Sequence, residues 1–179
     1  MPPKSRRPYC LLPLLLCLLL TACRASLPPP GAAELLSIMQ TAMTDTAQLL
    51  PEGLIYTRAA PEGTPGHLSD TLLSALYGEA ARGILDTAEG GGVEDVALFL
   101  SVSSYPCELA VFRCTDTRTA ADVAALCRGR LDLVERGFAG SPWQAVAAGG
   151  RVSVEGCFVF LVIAEDAARV TERAAEAVG

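Results

Sequence analysis

The chain has 179 residues, of which 51% are hydrophobic, with fourteen basic and twenty acidic side chains for a net charge of −6. That length gives room for one compact core and excludes two domains of ordinary size. The acidic balance excludes nucleic acid and anionic lipid headgroups as direct partners, because both repel a negative surface.

Lys4, Arg6 and Arg7 open the chain, a leucine-dominated run follows from Cys10 to Leu20, and the run closes on Leu20-Thr21-Ala22-Cys23. Basic residues hold such a segment at the cytoplasmic face while the apolar run enters the membrane, and small residues before the cut admit a peptidase. Residues 1–22 are therefore predicted to be an export signal cleaved between Ala22 and Cys23. The last four residues resemble the bacterial lipobox, whose cysteine receives a diacylglyceryl group and becomes the first residue of the mature chain. Cys23 is accordingly the expected lipidation site, with acyl chains of the palmitate type holding the protein to the membrane. A transmembrane helix needs roughly 20 apolar residues. The stretch Tyr9 to Ala22 has fourteen, with Pro13 among them. The rival reading is an ordinary secretory signal in which Cys23 is incidental.

Cleavage would leave 157 residues and, since the leader carries three basic and no acidic residues, a net charge of −9. Of the seven cysteines, Cys10 and Cys17 would leave with the leader and Cys23 would be acylated. Cys107, Cys114, Cys127 and Cys157 remain. Outside the cytoplasm they are free to form disulfides, and spacing alone does not choose the pairing. Cys107 and Cys114 are seven positions apart on one expected strand, so they point to opposite faces and are not expected to bond to each other. Small buried hydrophobes are the plainer expectation for all four thiols. No CxxC or Cys/His grouping suggests a metal, since the single histidine, His67, is far from all of them in sequence. No cofactor is expected.

Residues 23–32 contain Pro28-Pro29-Pro30, which favours an extended polyproline conformation and makes a short tether. The single domain is expected over 33–179. Leu35, Ile38, Met39, Ala42, Met43 and Leu49 recur at helical spacing and predict a first helix from Ala33 to Leu49, stopped by Pro51. Pro61, Gly63, Pro65 and Gly66 around His67 predict a loop, preceded by a short extended piece at Leu54 to Thr57. Ser69 is the expected N-cap of a two-turn helix that carries Leu72, Leu73, Leu76 and Tyr77 and stops at Gly78. After a flexible break at Glu89 to Gly92, Val93 to Ser103 and Cys107 to Cys114 read as a hairpin. In its first strand Val96, Leu98, Leu100 and Val102 face one way and Ala97 and Phe99 the other, so both faces are expected to be at least partly covered. Thr119 with Asp122 predicts the start of a long helix whose stripe is Val123, Cys127, Leu131, Val134 and Phe138. Beyond the break at 140–142, Arg151 to Val154 and Cys157 to Ala164 predict a second hairpin turning at Glu155-Gly156. The apolar run Phe158 to Ile163 has the composition of a strand buried on both faces. A helix from Glu165 to Val178 closes the chain, with Glu165 and Asp166 at its positive end.

These elements predict an α+β domain: a mostly antiparallel sheet of two hairpins packed against helices, in the order α-α-ββ-α-ββ-α. Leu76-Tyr77-Gly78, the strand pair Val96 to Leu100 and Glu108 to Phe112, Cys127-Arg128-Gly129-Arg130-Leu131, and Gly156 to Ile163 carry a resemblance. Over roughly Leu35 to Val178 the chain resembles the small bacterial lipoproteins catalogued as domain of unknown function 4358. The family usually has further aromatic and polar residues where this chain has Ala145 to Gly150. The resemblance implies an anchored extracytoplasmic domain and supplies no catalytic residue.

Candidate chemistry is sparse. His67 and Asp70 have the types of a base and its orienting carboxylate, but no nucleophile sits in a recognisable elbow. Gly90-Gly91-Gly92 precedes Glu94 and Asp95 and a strand, which suits a hinge better than a phosphate cradle. Arg128 and Arg130 are about 200 degrees apart around a helix and cannot easily serve one site, so they and Arg136 are expected on solvated faces. Trp143 is expected as a lid on the core, or as a contact surface if exposed. Glu94/Asp95 and Glu165/Asp166 stand near element starts, where carboxylates cap or solvate. The expected function is that of a lipid-anchored, non-enzymatic module on the extracytoplasmic side of the cell membrane, held through Cys23 and binding an envelope protein or component. The alternatives are a thiol redox protein using a pair among the four mature cysteines, and a small solute-binding lipoprotein.

Overall fold

The computed structural model describes residues 29–45, 50–85 and 92–179. Ala22, Cys23 and the expected leader lie outside the described residues, as do Leu49, Glu89, Gly90 and Gly91. In chain order the elements are α1 (Ala32–Thr44), β1 (Gly53–Thr57), α2 (Asp70–Tyr77), a 3-10 turn (Glu79–Ala81) running into α3 (Arg82–Leu85), β2 (Val93–Ser101), β3 (Glu108–Cys114), α4 (Thr117–Gly137), α5 (Gln144–Ala148), β4 (Arg151–Glu155), β5 (Phe158–Ile163) and α6 (Ala167–Glu176).

The five strands form one antiparallel sheet in the order β1-β2-β3-β5-β4. The domain is α+β, and the two expected hairpins are its interior and one edge. The extended piece at Leu54 to Thr57 is a fifth strand, with Leu54 opposite Leu100 and Tyr56 opposite Leu98. Helices cover both faces, as the two-sided apolar patterns of β2 and β5 predict. Strand side chains alternate between faces, so Val96, Leu98, Ala110, Phe112, Val159 and Leu161 pack beneath α2 and α4. Ala97, Phe99, Leu109, Val111, Phe160 and Val162 pack beneath α1 and α6. Every residue of β5 is buried, as its unbroken apolar run predicts.

The helix ends differ from expectation in instructive ways. Ser69 accepts from the Leu72 amide at 3.2 Å and caps α2 as predicted, and Gly78 leaves the helix at φ +88. The long helix starts three residues earlier than the Thr119 capping box predicts, because Asp116 is the cap and accepts from the Thr119 amide at 2.7 Å. Thr119 is thus the donor. Its stripe is otherwise as expected, with Val123, Cys127 and Val134 buried and Leu131 and Phe138 half-buried against the core. α1 ends at Thr44, and Leu36 joins its buried side. No side chain of α1's own segment caps its start, and the amide of Ala32 instead donates to Asp95 on β2 at 2.8 Å. The second hairpin turns on Gly156-Cys157, since Glu155 pairs with Phe158, and Gly156 takes φ +59. Sequence periodicity gave no sign of the five-residue α5.

Candidate functional site

One side chain breaks the apolar rule of the sheet. Glu108 is the first residue of β3, shares the α4 face with Ala110 and Phe112, and is only 4% exposed. An isolated buried carboxylate is strongly disfavoured, so it needs a countercharge. Arg130 supplies it from α4: its Nε and Nη2 donate to Glu108 Oε2 at 2.9 and 2.8 Å. Tyr77, the last residue of α2, directs its hydroxyl at Oε1 from 3.4 Å. Burial pushes the Tyr77 phenol well above its ordinary value, and the Glu108 charge adds to the rise. The phenol is therefore a permanent donor at physiological pH. Tyr77 is held in place edge-to-face against Phe112, with centroids 5.5 Å apart.

Glu108 and Arg130 line a cavity of about 210 Å³ whose walls include Cys107, Val134 and Phe138 and whose rim carries Tyr105. Trp143 stands edge-to-face on Tyr105 at 5.0 Å and keeps 38% of its surface exposed, so it buttresses the rim and does not roof the core. A wider groove of about 400 Å³ runs between α1 and α6, but its charged residues Asp45, Arg173 and Glu176 are exposed, and the last two pair with each other at 3.0 Å. The cavity over Glu108 is the one where buried charge, donors and aromatic rings converge.

The structure separates the other candidates. His67 Nδ1 lies 2.8 Å from the Ala60 carbonyl, while Asp70 pairs with Arg58 at 2.8 Å, so the two do not form a relay. Arg128 and Arg136 are exposed, as expected of solvated faces. Arg130 departs from that expectation, and the 200-degree separation from Arg128 is what turns it inward. Gly92 accepts from Thr115 through its carbonyl. Glu94 pairs with Arg113 at 3.1 Å and Asp95 caps α1. Asp166 accepts from the Arg169 amide and caps α6. Cys107, Cys114 and Cys127 are buried, with Cys107 and Cys114 on opposite faces of the sheet, and Cys157 is half-buried. Burial pushes the Cys107 and Cys114 thiols up to about 12 and raises Cys127 further.

Among the described residues no group of histidine, cysteine and carboxylate side chains is arranged to hold a metal ion, and no helix is long and apolar enough to cross a membrane. An antiparallel α+β domain with a carboxylate–guanidinium pair at the base of a small cavity is the class that fold and site define. No family model, curated protein or solved structure matches the chain.

Proposed function

We propose that this protein is lipid-anchored on the extracytoplasmic side of the cell membrane and that its domain is a non-enzymatic binding module of the envelope. The observation that carries the reading is Leu20-Thr21-Ala22-Cys23 directly after a basic and then leucine-rich segment. The resemblance to the lipoproteins of domain of unknown function 4358 points the same way. The geometry of the domain supports the second half of the proposal. Glu108 and Arg130 neutralise each other, and a group held in a tight ion pair is poorly placed to shuttle protons. A paired guanidinium edge beside aromatic rings suits recognition of a polar group on a partner.

The test is the intact mass and membrane partition of the native protein beside a Cys23→Ala variant. The native chain is expected to begin at a diacylglyceryl-modified Cys23 and to sediment with membranes, and the variant to stay unprocessed or leave them. An unlipidated, freely soluble native protein would overturn the reading. Cross-linking in intact cells then tests the binding role, with Arg130→Ala and Trp143→Ala expected to reduce recovery of an envelope partner.

A further inference from the structure

Cys114 ends β3 and Cys157 sits in the tight turn that opens β5, and the amide of Cys114 donates to the Cys157 carbonyl at 2.8 Å. The strand register pairs Arg113 with Phe158, so the next step outward sets Cys114 opposite Cys157. Residues directly opposite in an antiparallel pair that share a hydrogen bond have Cα atoms about 5.5 Å apart. That is within the range a disulfide spans, roughly 4.4–6.8 Å.

The geometry points to Cys114 and Cys157 as an oxidisable pair that forms a cross-strand disulfide by exchange with a small-molecule or protein disulfide. Access decides the order of events. Cys157 is half-buried on a surface turn, whereas Cys114 is 2% exposed. The Cys157 thiolate attacks the external disulfide, forming a mixed disulfide and releasing one external thiol. Cys114 then gives its proton to solvent and attacks the Cys157 sulfur, releasing the second external thiol. The two protein thiols lose two electrons and two protons, and the oxidant's sulfur–sulfur bond takes them up as two thiols. The second step is slow at neutral pH and speeds up with rising pH, because the Cys114 thiol is held protonated by burial.

The other two cysteines are excluded by position. Cys107 is on the opposite face of the sheet, and Cys127, on the inner side of α4, is wholly enclosed and out of reach of an external oxidant. The inference stands apart from membrane anchoring, since it uses only the folded domain and an oxidant.

The experiment is oxidation of the reduced native chain with oxidised glutathione at pH 7 to 9, followed by blocking of free thiols, trypsin digestion and mass spectrometry. The expected product joins the peptide Cys114–Arg118 to Val152–Arg169, lighter by two hydrogens than the sum of its parts, with Cys107 and Cys127 blocked as free thiols. Yield should rise across the pH series. Cys157→Ser, on the surface turn, should abolish the link, and Cys107→Ser should leave it intact. Recovery of Cys114 and Cys157 as free thiols throughout, or a link involving Cys107 or Cys127, would overturn the proposal.

Discussion

The two faces of the sheet are built from the same strands and differ in what they bury. Beneath α1 and α6 the buried core is built from apolar side chains and Cys107, with Leu35, Met39, Met43, Phe99, Val111, Phe160 and Val162 in contact. Beneath α2 and α4 the core is equally well enclosed, but Glu108 stands at one end of β3 and Cys114 at the other. Fully burying a large apolar side chain stabilises by about 1.5–3 kcal/mol, whereas burying a carboxylate repays its desolvation only through its partner. The α1/α6 face therefore contributes chiefly to stability. The α2/α4 face gives up part of that stability to hold polar chemistry in a fixed place, the usual signature of a working surface.

Four measurements break or sharpen this contrast. Phe160→Ala on the apolar face should cost about 4 kcal/mol, read as a fall in the urea midpoint at unchanged slope. A loss below about 1 kcal/mol would mean that face is not packed as described. Arg130→Ala on the other face should cost about 3 kcal/mol, because it leaves the Glu108 carboxylate buried without its countercharge, and Arg130 is only 23% exposed. Pairing it with Glu108→Leu should recover most of the loss. Simple addition of the two single losses would show that the ion pair is not the cause.

A pH series compares the faces through one thiol on each. Burial raises Cys107 and Cys114 from 9.0 to about 12, so above pH 9 the unfolded chain releases these protons while the native chain keeps them. Their contribution is complete below pH 9 and is lost as pH rises toward 12, amounting to about 3 kcal/mol for the pair by pH 10. Cys107→Ala and Cys114→Ala should each remove about half of that alkaline slope, and a slope untouched by either would refute burial of the thiols. The smallest effect is expected at the edge of the polar face, where Ser69→Ala removes the α2 cap and should cost about 0.7 kcal/mol in the same denaturation assay.

The sequence made the sheet legible because its strands carry period-two or unbroken apolar patterns, and β5 could hardly be anything but a central strand. It made α4 legible through Val123, Cys127 and Val134. The two-sided apolar patterns of β2 and β5 signalled cover on both faces, but which helices supply it depends on where α1 returns in space and not on any local period. α5 was missed because five residues are too few to show a helical repeat. Arg130 was read as solvated because its neighbours Arg128 and Arg136 are. The available clue was Glu108, an acidic residue opening the otherwise apolar run Leu109 to Phe112, which asks for a cation from elsewhere in the chain. Cys114 and Cys157 are too far apart in sequence for spacing to pair them, and only the strand register brings them together.

The cap on α1 has a mechanical consequence. Its carboxylate comes from Asp95, on the second strand of the sheet, and meets the amide of Ala32 directly after the proline-rich segment. A tug arriving along the residues before Ala32 loads this bond to β2 together with the bond from the Leu35 amide to the Gly31 carbonyl, the first of α1. The domain would thus resist a pull at its front edge by sharing the load between its first helix and its sheet.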